Sequence, residues 1–389
     1  MNPFHFNLPT EIHFTDDHFH DLKTALIKEN PTRVLLVYGM NSLKASGLYD
    51  GITAVLNDLY IPWDEVAHVP ANPTLSKVHE AQALIHAKKH DFILAAGGGS
   101  VMDAAKAMAV SAYVSKDEVW AIYERKRWFE KALPLGVFVT LSGTGSEVNG
   151  NSVLNNDYEN IKWSIGDPLL RPKFAIINPS FQLGLKSDAF IATTLDIIHH
   201  TLEQYFDVTE ATSTSDYLMT GLIKSVRDNL EDVLKDTYTL DTYKNLAWAS
   251  TIGLSFILQQ GKLGAWESHR ISYPLTANYG IIHGYALSMV IPAFLTYTLN
   301  QGLPRFEQRL AFLGREVFDG EKGLDVIKRI QALYHSAGAP ITWSDANLKK
   351  PTRDDLIQMG ETIMAYGELG KMTKLDAEKI ADIYALIEA

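Results

Sequence analysis

DFILAAGGGSVMDAAKAMAVSAY (Asp91–Tyr113) is the stretch that decides the fold. Phe92 to Ala96 form an unbroken apolar run, which reads as a strand buried on both faces. Three glycines and a serine end it, and Val101 to Tyr113 then read as a helix. A buried strand opening through glycine into a helix is half of a βαβ unit, so the sheet is predicted to be mainly parallel. Working outward, RVLLVYG (Arg33–Gly39) repeats the strand pattern and is followed by a helix over Leu43–Leu59. LPLGVFVTL (Leu133–Leu141) and FAIIN (Phe174–Asn178) read as two further strands. Beyond Asn178-Pro179 the texture changes. From Ser187 onward helical periodicity dominates, with helices predicted over Asp188–Phe206, Ser213–Lys235, Thr242–Gln260, His283–Leu299, Gly323–Ala337 and Lys374–Glu388. The expected architecture is a Rossmann-like α/β nucleotide-binding domain over residues 1–185 and an all-α domain over 186–389. A small-ligand cleft is expected between them.

The bulk numbers agree with a two-domain globular enzyme. The chain has 389 residues, 46% hydrophobic and 21% charged. Its formal net charge of −11 repels a phosphate polymer, which argues against a nucleic-acid partner. The absence of cysteine excludes a disulfide scaffold and any thiolate metal site. MNPFHFNLPTEIHF at the start has neither a basic stretch nor an apolar core, and no apolar run is long enough to span a membrane. A cytoplasmic address is expected.

Gly97-Gly98-Gly99-Ser100 lies where open α/β sheets bind phosphate. Glycine lets backbone N–H groups approach the anion, and the helix N-terminus adds partial positive charge. The spacing is not the GxGxxG of the ordinary dinucleotide fingerprint, and a tight strand–helix turn gives the same pattern. Thr140-Leu141-Ser142-Gly143-Thr144-Gly145-Ser146-Glu147 is a second polar, glycine-bearing loop at the carboxyl end of a strand. It reads as a ligand loop or a plain polar turn.

Asp196 and His200 in TTLDIIHHTLEQYF share one helical face at i, i+4. His199 points elsewhere, and Glu203 reads as a surface residue before it reads as an extra ligand. His269 and His283 flank a segment that Pro274 and Gly280 should break, letting the chain turn and bring the two together. Three imidazoles and one carboxylate suit Fe²⁺ or Zn²⁺ better than Mg²⁺ or Ca²⁺. Among thirteen histidines, a structural Asp–His pair is an equally simple source of that spacing.

Taken together these motifs resemble the iron-containing (group III) alcohol dehydrogenases, a family with a dehydroquinate synthase-like fold. The resemblance is strongest to their butanol dehydrogenase and NADPH-dependent aldehyde reductase branch. It runs from Phe6-Asn7-Leu8-Pro9-Thr10-Glu11-Ile12, like the family's opening hairpin, through Asn72-Pro73-Thr74, Gly97–Asp103 and Thr144–Glu147. It ends on the Asp196/His200 and His269/His283 pairs. The resemblance implies that Gly98, Gly99, Ser100 and Asp103 hold the cofactor pyrophosphate and nearby ribose. Asn72, Thr140, Ser142, Thr144 and the cation Lys162 join them, and Gly39, Asn41 and Ser42 border the adenosine end. It implies a single divalent metal, Fe²⁺ or Zn²⁺, on Asp196, His200, His269 and His283. Where the family often has a histidine four residues after the third ligand, this chain has Tyr273, a candidate proton relay; Tyr279 stands where some members carry another histidine. Phe14-Thr15-Asp16-Asp17 lacks the glycines common at that point.

The implied reaction is hydride transfer between nicotinamide and a small aldehyde or primary alcohol, with the metal as Lewis acid. Tyr38-Gly39-Met40-Asn41-Ser42-Leu43-Lys44 contains no acid to repel a 2′-phosphate, and Asn41, Ser42 and Lys44 can receive one, so NADP(H) is expected over NAD(H). Trp266, Tyr273 and Phe256 are candidates for an aromatic pocket wall, or for core. A homodimer is expected. The rival readings are weaker. A lyase of the same fold needs a basic cluster for a phosphorylated acid, which is not apparent in the helical half. A short-chain dehydrogenase has only Tyr158-Glu159-Asn160-Ile161-Lys162 in its favour. A degenerate nucleotide binder sits poorly with four intact ligand positions.

Overall fold

The computed structural model describes residues 1–159, 161–318, 322–365 and 367–389. Asn160, the centre of the Tyr158–Lys162 pattern, lies outside the described residues. Contacts divide the chain into two units, Asn7–Leu183 and Met1–Phe6 with Gly184–Ala389. The first six residues therefore go with the helices, not with the α/β unit. The Asn2 amide, for example, donates to the Gly261 carbonyl at 2.9 Å.

The first unit runs β1 (Glu11–Phe14), α1 (His18–Glu29), β2 (Val34–Tyr38), α2 (Ser42–Ala45), α3 (Leu48–Asp58), β3 (Trp63–Val66), α4 (Leu75–Lys88), β4 (Phe92–Gly97) and α5 (Gly99–Ser111). It continues α6 (Glu118–Tyr123), β5 (Leu135–Val139), β6 (Asn151–Asn156), β7 (Ile161–Gly166) and β8 (Phe174–Ile177). Six strands form one parallel sheet in the order β1-β8-β5-β4-β2-β3, and β6 and β7 make a separate antiparallel pair. Every residue of β2, β4, β5 and β8 is buried, because helices cover both faces. Those four are the strands visible as apolar runs. The edge strands escape such a reading: β3 is Trp-Asp-Glu-Val with only Val66 buried, and β1 has no buried residue. Charge on an edge discourages stray pairing. β1 lies parallel to β8, Glu11 opposite Phe174, and does not form the hairpin that the resemblance implied. The helix expected over Leu43–Leu59 is two helices, parted at Gly47, whose φ of 76° favours glycine.

Chain order reverses beside β2: the next strand, β3, lies on one side and β4 on the other. The carboxyl ends of β2 and β4 therefore flank a topological switch point, where open α/β sheets bind ligands. Tyr38 stands opposite Ala96 there, and Gly97 opposite Val139 of β5.

The second unit is helical: α7 (Asp188–Tyr205), α8 (Ser213–Leu234), α9 (Leu240–Leu254), α10 (Glu267–Tyr279), α11 (His283–Asn300), α12 (Pro304–Val317), α13 (Leu324–Ser336), α14 (Arg353–Met364) and α15 (Ala377–Ala385). α7 is its central rod, with every residue from Thr194 to Tyr205 buried. α10, α12 and α14 were not expected. α10 runs through Pro274 and stops only at Gly280, in the left-handed region at φ 70°. Among the described residues no helix is long and apolar enough to cross a membrane.

Candidate active site

Asp196, His200 and Glu203 fall on one stripe of α7, at i, i+4 and i+7, and burial of the helix carries all three inside. His269 comes from the first turn of α10 and His283 is the first residue of α11. α11 can approach α7 because residue 284 is glycine: a Cβ there would lie 2.1 Å from the Ala192 carbonyl oxygen. Asp196, His200 and His269 each offer one ligand atom within 4.8 Å of the others. Asp196 lies 3.6 Å from His200 Nε2 and 3.8 Å from His269 Nε2. Those separations are too long for hydrogen bonds, and ligands on a tetrahedral ion at about 2.1 Å stand roughly 3.4 Å apart. Asp196 Oδ1 is buried and accepts no hydrogen bond among the described residues. A buried acceptor facing imidazole nitrogens at these distances fits a cation between them. The His200 and His269 rings stack at 4.9 Å, and the His283 ring stands 5.5 Å from that of His269. Three of the four expected metal residues thus converge, and His283 sits one ring away from the group.

Burial pushes the His200 pKa down to about 4, so the ring is neutral at pH 7 with a lone pair to give. Glu203 is buried, not on the surface, and does not join the ligand atoms. Its Oε1 accepts from the His269 amide at 2.9 Å and lies 3.1 Å from His269 Nδ1. With Nδ1–H donated to Glu203, Nε2 faces Asp196 as a lone pair, the arrangement by which carboxylates orient metal-binding histidines. Its i+3 spacing from His200 was the available sequence signal. His199 is buried against Tyr334, ring to ring at 5.1 Å, and its Nδ1 lies 3.7 Å from Asp196 Oδ1, but it is not part of the group of converging ligand atoms. Trp266 lies 5.2 Å from the His269 ring and 6.1 Å from that of His200, with Phe256 behind it at 5.9 Å. The Tyr273 ring is 6.3 Å from that of His283.

In the α/β unit, the two polar loops touch. A Cβ on Gly99 would fall 2.5 Å from Thr144 Cγ2, and one on Gly98 would fall 3.2 Å from Leu141 Cβ. The Thr140 amide donates to the Gly97 carbonyl at 3.1 Å. Gly39, Asn41 and Ser42 occupy the end of β2 and the start of α2, across the switch point from Gly98. The Ser100 hydroxyl donates to the Ala71 carbonyl, and Lys162 Nζ donates to Asn72 Oδ1 at 3.1 Å, which joins the Asn72 segment to the same rim. Asp103 is tied to the second loop and to β6: Oδ1 accepts from Ser146 Oγ at 2.8 Å and Oδ2 from the Val153 amide at 3.1 Å. Ser142 is likewise engaged, its amide donating to Gln182 Oε1 at 3.1 Å and its Oγ accepting from Gln182 Nε2 at 2.9 Å. These two side chains brace the second loop. Lys106, three residues after Asp103 and fully buried, was not singled out from sequence. Its Nζ donates to the Ser146 carbonyl and hydroxyl, both at 2.7 Å, and to the Asn151 carbonyl at 2.8 Å. Lys44 lies 4.5 Å from the Tyr49 ring and 3.9 Å from Glu65 on β3, an acid that the local sequence around Asn41 does not reveal.

Residues 9–179 match the family described as iron-containing alcohol dehydrogenase, and residues 190–387 match the C-terminal part of the Fe-containing alcohol dehydrogenase family. The probable NADH-dependent butanol dehydrogenase 2 of Bacillus subtilis is 31% identical over 100% of both chains. The NADPH-dependent aldehyde reductase YqhD of Escherichia coli is 27% identical, over 93% of this chain and 96% of its own. Among solved structures, NADH-dependent butanol dehydrogenase A from Thermotoga maritima is 32% identical and superposes with a TM-score of 0.92, covering 100% of this chain and 99% of that one.

Proposed function

The chain belongs to the iron-containing alcohol dehydrogenase family, and from that premise we propose that it interconverts small aldehydes and primary alcohols, using a nicotinamide cofactor and one divalent metal, Fe²⁺ or Zn²⁺. The observation that carries the metal is the buried convergence of Asp196, His200 and His269 within 4.8 Å. His283 is assigned as the fourth ligand. The metal supplies Lewis acidity toward the substrate oxygen and the nicotinamide supplies or accepts the hydride. The protein's own residues orient and enclose. Asp196 contributes the one negative charge of the ligand set, and neutral imidazoles leave the site net positive toward a developing alkoxide. Glu203 fixes the His269 tautomer, Trp266 walls the ligand histidines, and Tyr273 is assigned to proton transfer. An unchanged pH–rate profile in Tyr273→Phe removes that last role.

Gly98, Gly99 and Ser100 are assigned to the pyrophosphate, with Gly39, Asn41, Ser42, Asn72, Thr140, Thr144 and Lys162 around the rest of the cofactor. Asp103 and Ser142 act by shaping that rim. NADPH is assigned as the preferred cofactor, supported by the exposed Asn41 and Ser42 at the head of α2. Lys44 takes part by exchanging the Glu65 carboxylate for the 2′-phosphate. Equal or better kcat/KM with NADH refutes this preference. A cytoplasmic homodimer completes the proposal. β1 has one open edge for pairing across a two-fold axis, and sedimentation as a monomer rejects that part.

The deciding experiment follows NADPH oxidation with butyraldehyde, before and after chelation and again after Fe²⁺ or Zn²⁺ is restored. Activity should vanish with the chelator and return with the metal. Absence of turnover with either nicotinamide, in protein shown to contain metal, overturns the proposal.

A further inference from the structure

Away from the candidate metal group, the helical unit holds a pocket of about 280 Å³, walled by Tyr205, Ser213, Asp216, Arg305, Arg309 and Arg315. The three arginines recur with Phe312 at i, i+4, i+7 and i+10 along α12, so they share one face of that helix. Their charges are not equally balanced. Arg309 is buried and donates to Asp216 Oδ1 at 2.7 Å, with Asp207 at 3.4 Å. Lys262 donates to the same Asp216 oxygen at 2.8 Å and lies 3.7 Å from Asp207. These two cations and two acids neutralise one another. Among the described residues Arg305 donates only to the Thr209 carbonyl, at 3.0 Å, and Arg315 lies over the Phe312 ring at 5.7 Å. Neither meets a carboxylate among the described residues. Among the described residues two positive charges therefore remain unbalanced at one pocket, in a chain whose net charge is −11.

Two donors of the same arginines are also unused. Nε of Arg305 and Nε of Arg309 are both buried and make no hydrogen bond among the described residues. Buried donors of this kind are normally paired. The pocket also includes the first turn of α8, which starts at Ser213 and has no side-chain cap. Thr212, in the capping position, instead accepts from Arg309 at 2.8 Å and donates to Asp216 at 3.1 Å. Its hydroxyl is thereby withdrawn from the helix amides, which are left without a side-chain cap.

We propose that this pocket binds a small phosphate dianion, either inorganic phosphate or a phosphate monoester. Guanidinium forks and helix-terminal amides are the donors that such an oxyanion takes, and its two negative charges match the two unbalanced arginines. The site is independent of the proposed redox chemistry.

The test is calorimetric titration of inorganic phosphate into metal-loaded protein saturated with NADPH, so that the glycine loop is already filled. Chloride at matched ionic strength is the control. One saturable site is expected, weakened about 100-fold in Arg305→Ala/Arg315→Ala, as loss of two charge-assisted contacts implies. These substitutions leave the buried Arg309 network in place. Arg315→Gln, at an exposed position, serves as a second variant that keeps its fold and should weaken binding about tenfold. Glycerol phosphate in place of phosphate separates the two sources: tighter binding assigns the monoester and equal binding the free ion. Heat that follows ionic strength alone, or binding of unchanged strength in both variants, overturns the proposal.

Discussion

Replacing Glu203 with alanine separates metal affinity from fold stability. Glu203 accepts from the His269 amide at 2.9 Å and lies 3.1 Å from His269 Nδ1. Two hydrogen bonds to a carboxylate are worth about 3 kcal/mol together. Against that, burial lifts the Glu203 pKa from 4.5 to about 7 even with those hydrogen bonds in place, so the cost of desolvating the charge outweighs what they return. Removing the carboxylate from the metal-free protein should therefore lower its denaturation midpoint little. Metal binding is affected differently. Without Glu203, His269 is free to rotate or to place its proton on Nε2, the nitrogen that faces Asp196 at 3.8 Å. Loss of such an orienting carboxylate lowers metal affinity by about 10- to 100-fold, or about 1.4–2.7 kcal/mol. The assay is competition for Zn²⁺ against a chromophoric chelator, with a urea titration of the apo-protein alongside. Glu267→Ala is the control, since Glu267 is a neighbouring buried acid that accepts from the Lys371 amide at 2.5 Å and not from a histidine ring. A Glu203→Ala protein that holds Zn²⁺ as tightly as the wild type refutes the orienting role. So does an equal loss of affinity in Glu267→Ala.

Two other substitutions probe the cofactor side. Gly99→Ala places a Cβ 2.5 Å from Thr144 Cγ2 and 3.0 Å from its Cβ, so the two loops must part. Overpacking of this kind should raise the KM for the cofactor about tenfold while the metal content is unchanged, and an unaltered KM by steady-state kinetics shows that the loops do not need to touch. Glu65→Gln removes the carboxylate 3.9 Å from Lys44. Freed of its partner, Lys44 should improve the NADPH to NADH ratio of kcat/KM by roughly threefold, the scale of an exposed ion pair. A ratio that stays fixed, or moves toward NADH, removes Lys44 from cofactor selection.

The sequence by itself determined the features that are periodic or local. Strands β2, β4, β5 and β8 show as apolar runs because both faces of a central parallel strand are buried. The glycine loop shows because the second loop approaches this strand-to-helix turn so closely that a Cβ on Gly99 would meet Thr144 at 2.5 Å. The Asp196/His200 pair shows because two side chains four apart share a helix face whatever else surrounds them. Tertiary structure alone decided the rest. The edge strands β1 and β3 exist only through pairing with a neighbour, and nothing in Glu-Ile-His-Phe or Trp-Asp-Glu-Val says that a neighbour is there. Pro274 reads as a helix breaker, yet α10 continues to Gly280, because packing outweighs the loss of one backbone hydrogen bond. Glu203 has the composition of a surface residue and is buried, because every residue of α7 from Thr194 onward is enclosed. Its partner, the His269 ring, is 66 residues away in the chain. The pairings of Asp103 with Ser146 and Val153, of Lys44 with Glu65, and of Arg309 with Asp216 likewise join separate segments of the chain. Periodicity reports which side of an element is buried, whereas the identity of the atom that a buried charge meets is fixed only when distant segments are brought into contact.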